Sequence, residues 1–579
     1  MTKAILWGKP DAGNLHVQFI EGEVASPEPR RGSLLYRCRP LVFLALAALA
    51  MEGNAAKKFI SFGWEYKRIT PEALLANADK FKDTAIDGVG IYLSATNSAG
   101  KELMFVAKGD VWEKAAFERQ LPLFRKIART PHLSESFFVG LGAPVKRLAW
   151  TDDAGWANIA NSMSVLGWLT RETGIRGISC DDEDYHHQSQ YNRVPSDPDW
   201  DELVKIVRKR GAQVFGALFR ENPDIRVLYY WILCFERAYF TSPDPVALVR
   251  AKGDLRPAFF DGILDVMPET ARLINGDEHA YRAEAGCRDF YKSYFNQRSV
   301  CPQLLSPENR ARFNRLAQVS FGLYYDMYVN DEKSCWYFGP VDGSRTEHLR
   351  RNFADAMRAA DEYVWLWGEK YPTIAWENAV VEPRVEGRGK GTWSSMIPGL
   401  AEAMLCCKDA DWGLARRLKA LKAAGGLKDL NANPSCTGDG EKLPAPYDYW
   451  KPASDGGTIA LDRTVGYGDA SSLAVRNCKQ GCITYGISNV RPGEAYAVLF
   501  MSKGPAVASV SFQKGGQWDR SREGIEFLPG TPVADGWSRS AAMVVIPPGS
   551  DKFVILLSCS DKSGEGQVWY DDIHVVKLW

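Results

Sequence analysis

From Phe59 onward one pattern recurs eight times: a short run rich in β-branched and aromatic residues, separated from the next by a longer amphipathic stretch. The runs stand at 58–65, 87–93, 136–142, 175–181, 226–236, 271–278, 319–329 and 362–369. Strands that alternate with helices pair in parallel, because each crossover brings the chain back to the same end of the sheet. Eight such units are the number that closes a (β/α)8, or TIM, barrel. The spacers carry helix signals. Thr70 is placed to cap a first turn, Pro71 suits its first position, and Glu72 puts a negative charge at the positive end of the helix dipole. In 343–362 the spacing of Leu349, Phe353, Met357 and Ala360 predicts one buried stripe.

The alternation ends near Tyr371, and a loop with one or two helices is expected through Trp393 to Gly425. A stretch rich in Gly, Pro, Asn and Asp then marks a domain boundary near Lys428. Beyond it the periodicity changes to short alternating strands with Gly and Pro turns, which predicts a β-sandwich. The expected organisation is a leader at 1–56, the barrel at 57–376, a helical extension and linker at 377–427, and the sandwich at 428–579. A chain of 579 residues exceeds what one core organises, in keeping with that division.

The leader has the order of parts of a secretory signal. Arg30, Arg31, Arg37 and Arg39 precede an apolar run from Leu41 to Ala50, with small-x-small sites following. That run is shorter than the roughly 20 apolar residues a bilayer span requires, so no stable membrane span is expected. A secreted or periplasmic location is expected, with initiation nearer Val24 to Leu35 than Met1.

Lys plus Arg balances Asp plus Glu at 71 each, which argues against a nucleic-acid partner. Of the 12 Cys, Cys38 lies in the leader, and the rest form no CxxC pair; with no His-x-x-x-His spacing either, a zinc framework is not expected. Cys478 and Cys482 are close enough in sequence to pair if their strands allow.

The active site of a barrel lies at the C-terminal ends of its strands. Strand four runs into Asp181, Asp182, Glu183 and Asp184, then Tyr185, His186 and His187. Alternation turns Asp181 and Glu183 to one side. Like charges crowded in a cleft push one carboxyl toward the protonated form, which lets it act as a general acid. Strand six ends in Asn275, Gly276, Asp277 and Glu278, with His279 and Tyr281 beyond; strand seven offers Tyr325 and Asp326, and strand eight Trp367 and Glu369. Trp64, Tyr92 and Trp231 stand near the same ends, where aromatic faces suit sugar rings. Each of these carboxylates also has a structural reading, as a solvated loop or an ion pair with a nearby Arg or Lys.

The segment GISCDDEDY resembles a G-I-x-F-D-x-E-x-Y pattern on strand four of glycoside hydrolases from bacterial polysaccharide-degrading systems. LINGDEHAY is similar to their strand-six I-D-G-N-E-x-x-Y, with Asn275 and Asp277 standing where that pattern has Asp and Asn. The resemblance implies a glycosidase and carries over Asp181, Glu183 and Tyr185 from the first motif and Gly276, Glu278 and Tyr281 from the second. Glu183 is then expected as acid/base and Glu278 as its partner, nucleophile or base, with Asp181, Glu369 and Asp326 orienting substrate or adjusting pKa. Trp64, Tyr185, His186, Trp231, Asn275, Tyr281, Tyr325, Asp326 and Trp367 would bind a polysaccharide or oligosaccharide without any catalytic cofactor. The last part, through ANPSCTGDG and VWYDDIHVVKL, resembles the jelly-roll carbohydrate-binding modules beside xylanases and cellulases. In that family a structural calcium ion bridges the two ends. Here Cys436 and Thr437 replace the Phe and Glu of the start, leaving Asp572, or Asp571, as the calcium ligand. The rivals are a non-catalytic glycan-binding protein, a lyase and an esterase. The acidic strand ends oppose the lyase, and the absence of G-x-S-x-G opposes the esterase.

Overall fold

The computed structural model describes residues 57–578 apart from 107–108, 142–145, 184–186, 286–287, 342, 387–390, 409–420, 422, 424, 521–523 and 528–529. The expected leader therefore lies outside the described residues. The chain forms two compact units, one from the described residues of 55–340 and 348–408, the other from those of 341–347 and 409–579.

The first unit is built on a parallel sheet of nine strands: β1 (Lys58–Gly63), β2 (Gly88–Tyr92), β3 (Phe137–Leu141), β4 (Gly177–Cys180), β5 (Arg226–Tyr229), β6 (Arg272–Asn275), β7 (Ala317–Val319), β8 (Gly322–Tyr324) and β9 (Tyr363–Gly368). Their order is β8-β9-β1-β2-β3-β4-β5-β6-β7. All eight runs read from the sequence supply strands to it. The seventh supplies two, interrupted at Ser320 and Phe321, so the path has an end at each half of that run.

Helices α1 (Pro71–Ala76), α2 (Leu121–Arg129), α3 (Asp153–Thr173), α4 (Trp200–Glu221), α5 (Arg256–Val266), α6 (Pro307–Leu316) and α7 (Arg345–Ala359) lie in the connections. Thr70 caps α1 as its sequence predicts, its hydroxyl accepting the Ala73 N–H at 3.2 Å. The predicted stripe Leu349, Phe353, Met357 and Ala360 is buried. Burial of each large side chain in it contributes about 1.5–3 kcal/mol. Helices α4 and α5 approach so closely that a Cβ at Gly211 would stand 2.1 Å from the Phe259 carbonyl oxygen, and one at Gly262 1.9 Å from that of Arg208. Only glycine permits that crossing.

The second unit holds two antiparallel six-stranded sheets. Its strands are β10 (Asp448–Trp450), β11 (Thr458–Asp462), β12 (Ser472–Arg476), β13 (Cys482–Ser488), β14 (Ala495–Lys503), β15 (Ala506–Lys514), β16 (Gln517–Trp518), β17 (Ile525–Glu526), β18 (Thr531–Pro532), β19 (Trp537–Val545), β20 (Lys552–Cys559) and β21 (Gln567–Lys577). One sheet runs β10-β13-β20-β15-β16, with β17 also on β15; the other runs β11-β12-β21-β14-β19-β18. Side chains from both sheets form one core, including Val475, Ile483, Val498, Ile555 and Tyr570. Cys436 is fully buried in that core. Cys478 and Cys482 are both free thiols.

Candidate functional site

Open parallel sheets and barrels alike bind ligands outside the carboxyl ends of their strands. Here the ends of β4, β6 and β9 run into acidic residues. The β4 ladder continues one residue past Cys180, since the Asp181 N–H donates to the Leu141 carbonyl at 2.9 Å. Asp181 then accepts the Glu183 N–H on Oδ1 at 3.0 Å. Alternation sends Asp182 the other way, where its Oδ2 meets Arg256 Nε at 3.1 Å in a buried ion pair. Burial raises the Asp182 carboxyl above the usual range, against the pull of Arg256.

Past β6, Asp277 sits at φ 39°, in the left-handed region, and turns the chain into a 3-10 turn over Glu278–Arg282. Its carboxylate accepts from the Ser293 hydroxyl and from Gln297 Nε2. The Glu278 N–H donates to the Tyr230 carbonyl at 3.3 Å, and its Oε2 is buried with no hydrogen-bond partner among the described residues. Burial, followed by the charges of Glu183, Asp181, Asp182 and Asp277, pushes the Glu278 carboxyl up to about 9. Carboxyls that are remote in sequence thus meet electrostatically at Glu278.

A second acidic group stands at the end of β9. Glu369 Oε1 accepts from Trp367 Nε1 at 3.2 Å, and the Glu369 N–H donates to Asp326 Oδ2 at 2.8 Å. Trp367 in turn meets Trp64 edge to face at 5.6 Å. On the same strand Trp365 lies flat on Tyr230, with 4.4 Å between ring centroids, and its Nε1 donates to the Gly276 carbonyl. Tyr281 stacks on Tyr324 at 5.2 Å, and Trp336 meets Tyr324 edge-on while carrying the Arg282 guanidinium 4.2 Å from its ring centre.

Several residues expected at the substrate have other partners. Asn275 is buried, and its side chain pairs with both the N–H and carbonyl of Ile232. Tyr325 is buried with its hydroxyl 3.3 Å from Met404 Sδ. Trp231 is buried edge-on against His279, whose Nε2 bonds the Phe235 carbonyl. Tyr185 and His186 lie outside the described residues. Sequence reasoning did not single out Glu65, at the end of β1. Its buried carboxylate accepts from Thr373 and from Trp376 Nε1, and burial raises it to about 7. Its place at a strand end was the available signal.

In the second unit, the Asp572 carboxylate is engaged by His574 Nε2 at 2.9 Å, while His574 Nδ1 meets Asp429 at 2.6 Å. Asp571 accepts the Tyr467 and Asp572 N–H groups. Both acids thus face protein donors, and among the described residues no three His, Cys, Asp or Glu side chains gather as metal ligands.

No family model and no curated protein matches the chain. Among solved structures, the enzymatically active domain of bacteriophage CBA120 tailspike protein 4 is 17% identical, with 25% of this chain and 21% of that one covered and a TM-score of 0.21. The CBM22-1 xylan-binding domain of Paenibacillus barcinonensis Xyn10C is 11% identical over 24% of this chain and 89% of its own, at a TM-score of 0.20. The CBM22-1 and GH10 modules of the Clostridium thermocellum endo-1,4-β-D-xylanase Xyn10B are 12% identical over 23% and 26%, at 0.19. Among the described residues no helix is long and apolar enough to cross a membrane.

Proposed function

We propose that this protein is an exported glycoside hydrolase whose general acid is Glu278. The observation that carries the reading is the state of that carboxyl: buried, with one oxygen lacking a partner among the described residues, and raised to about 9 beside Glu183 and Asp181. Such a group keeps its proton at neutral pH and has an oxygen free to meet a glycosidic oxygen. Glycoside hydrolysis needs an acid that remains protonated and a second carboxylate across the scissile bond. Glu183 takes the second part, as nucleophile or base, which exchanges the roles expected from the sequence resemblance. Asp181 holds the Glu183 backbone, and Glu369 with Trp367, Trp64 and Asp326 forms a subsite for a neighbouring sugar. Two acids suffice for this chemistry, and no catalytic cofactor enters the reading.

The same proposal takes the nine-strand sheet as a closed (β/α)8 barrel. What supports closure is that β7 and β8 are consecutive. The Ser320 N–H between them donates to the β6 carbonyl of Asn275 at 2.9 Å, and the Phe321 carbonyl accepts from Trp365 of β9 at 3.0 Å. Export rests on the basic and apolar leader, and sequencing the N-terminus of the secreted protein tests it.

The functional test is reducing-sugar release from a panel of plant, algal and animal polysaccharides by the wild type, Glu278→Gln and Glu183→Gln. Release that both variants lose supports the assignment. Binding without release by any of the three overturns catalysis in favour of glycan binding.

A further inference from the structure

Behind the acidic end of β4 lies a cavity of about 480 Å³, walled by Leu141, Leu148, Ile159, Val214 and the aromatic rings of Trp156, Tyr191 and Phe259. That volume is within the range of small-molecule sites. Its aromatic wall is well supported: Trp156 is stacked on Trp150 at 4.7 Å, and Tyr191 packs edge-on against Phe259 at 5.5 Å.

Most of the polar groups on the lining are already committed to the protein. Gln190 bonds both the N–H and the carbonyl of Leu148, at 2.8 and 3.0 Å. Arg147 pairs with Asp197 at 2.8 Å, Asp152 caps α3 through the Gly155 N–H, and Asn158 donates to the Gly109 carbonyl. Asp182 differs. It is only 4% exposed, its Oδ2 is held by Arg256, and its Oδ1 has no hydrogen-bond partner among the described residues. A buried carboxylate oxygen without a donor costs about 1–3 kcal/mol or more, so an occupant that supplies one is favoured.

The charge around Asp182 selects the donor. Arg256, 5.1 Å from the Tyr191 ring centre, is shared by Asp182 and Asp254, and the lining adds Lys146, Arg147 and Asp152, so cations and acids there are close to balanced. With Arg147 paired to Asp197, a cation entering there would be the third, beside Arg256 and Lys146. A neutral hydroxyl on a flat apolar body meets none of that repulsion, and fits the ring-lined wall.

We propose that this cavity binds a neutral hydroxylated aromatic of one or two rings, its hydroxyl donating to Asp182 Oδ1. The site lies on the opposite side of the β4 extension from Asp181 and Glu183, and its occupancy does not depend on hydrolysis.

Equilibrium dialysis of the full chain against 2-naphthol and 2-methoxynaphthalene tests the proposal, since the two share their rings and only the first has a donor. Saturable binding of 2-naphthol, at least tenfold tighter than its methyl ether, is the expected result. Leu148→Trp at the half-buried edge, or Val214→Phe from another wall, fills the space without touching the Asp182–Arg256 pair. Either is expected to weaken 2-naphthol at least tenfold while circular dichroism shows the fold intact. Equal affinity for the two compounds, which water satisfying Oδ1 would give, overturns the proposal. So does an absence of saturable binding, or binding that both filled variants retain.

Discussion

Asp182 and Arg256 form a buried ion pair, 3.1 Å from Oδ2 to Nε, with side chains only 3% and 7% exposed. Asp254 adds a second acid 3.7 Å from the same guanidinium. Removing one partner from such a pair leaves an uncompensated buried charge, which costs about 3–5 kcal/mol. Arg256→Met is therefore expected to lower the stability of the first unit by that amount in urea denaturation. Adding Asp182→Leu to Arg256→Met is expected to recover part of the loss. A single variant as stable as wild type would show the pair to be solvated.

Glu278 sets activity against stability. Its folded-state value is raised from 4.5 to about 9, so between those values the folded chain holds a proton that the unfolded chain has released. Stability then falls as pH rises, by about 1.4 kcal/mol per pH unit for this one group, until the folded carboxyl itself ionises near 9. Glu278→Gln removes that dependence. The variant is expected to be inactive yet more stable than wild type, with a gain that is larger at pH 8 than at pH 5 in paired denaturation curves.

The same protonation governs rate. If Glu278 is the general acid, kcat/KM for glycoside cleavage falls on the alkaline side with a midpoint near 9. A pH profile that stays flat to pH 10 would remove Glu278 from that role.

His574 is held between Asp429 and Asp572, and their hydrogen bonds raise it to about 10. Its contribution to stability is complete below its unfolded value near 6.5 and is lost as pH rises through 10. The imidazole is over a third exposed, so solvent screening limits the effect to about 1 kcal/mol. His574→Ala is expected to lower the melting temperature at pH 6 and to match wild type above pH 10, with the pH 6 difference shrinking in high salt.

At Gly322 an added Cβ would stand 2.6 Å from the Trp365 ring and 2.8 Å from that of Tyr281. Gly322→Ala is expected to cost about 1–3 kcal/mol. It should also displace the Trp365–Tyr230 stack, which near-ultraviolet circular dichroism reports.

Local periodicity made much of this architecture legible. The α1 cap at Thr70, the α7 stripe, the eight strand-bearing runs and the change to short alternating strands after Lys428 each depend on neighbours a few residues away. Alternation likewise separated Asp181 and Glu183 from Asp182. What could not be read was decided by partners far along the chain. Arg256 reaches Asp182 across 74 residues, Ile232 takes up Asn275 across 43, and Met404 meets the Tyr325 hydroxyl across 79. A polar residue at a strand end looks the same in sequence whether it faces a ligand or closes a loop. Five strands of the second unit are not legible: β10 and β11 follow the Gly- and Pro-rich boundary, and β16, β17 and β18 span two residues each, too short for alternation to register.

The position of β21 has a consequence for synthesis. Residues 567–577 pair with β12 on one side and β14 on the other, so they occupy the middle of their sheet. A ribosome that has made everything before them has produced two separate pieces of that sheet, β11-β12 and β14-β19-β18, with an open slot between. Until Gln567–Lys577 has emerged, that sheet is expected to remain in two unjoined pieces whose apolar faces are open. A product that stops before Gln567 is expected to lack the strand that joins the halves and to leave that sheet unformed.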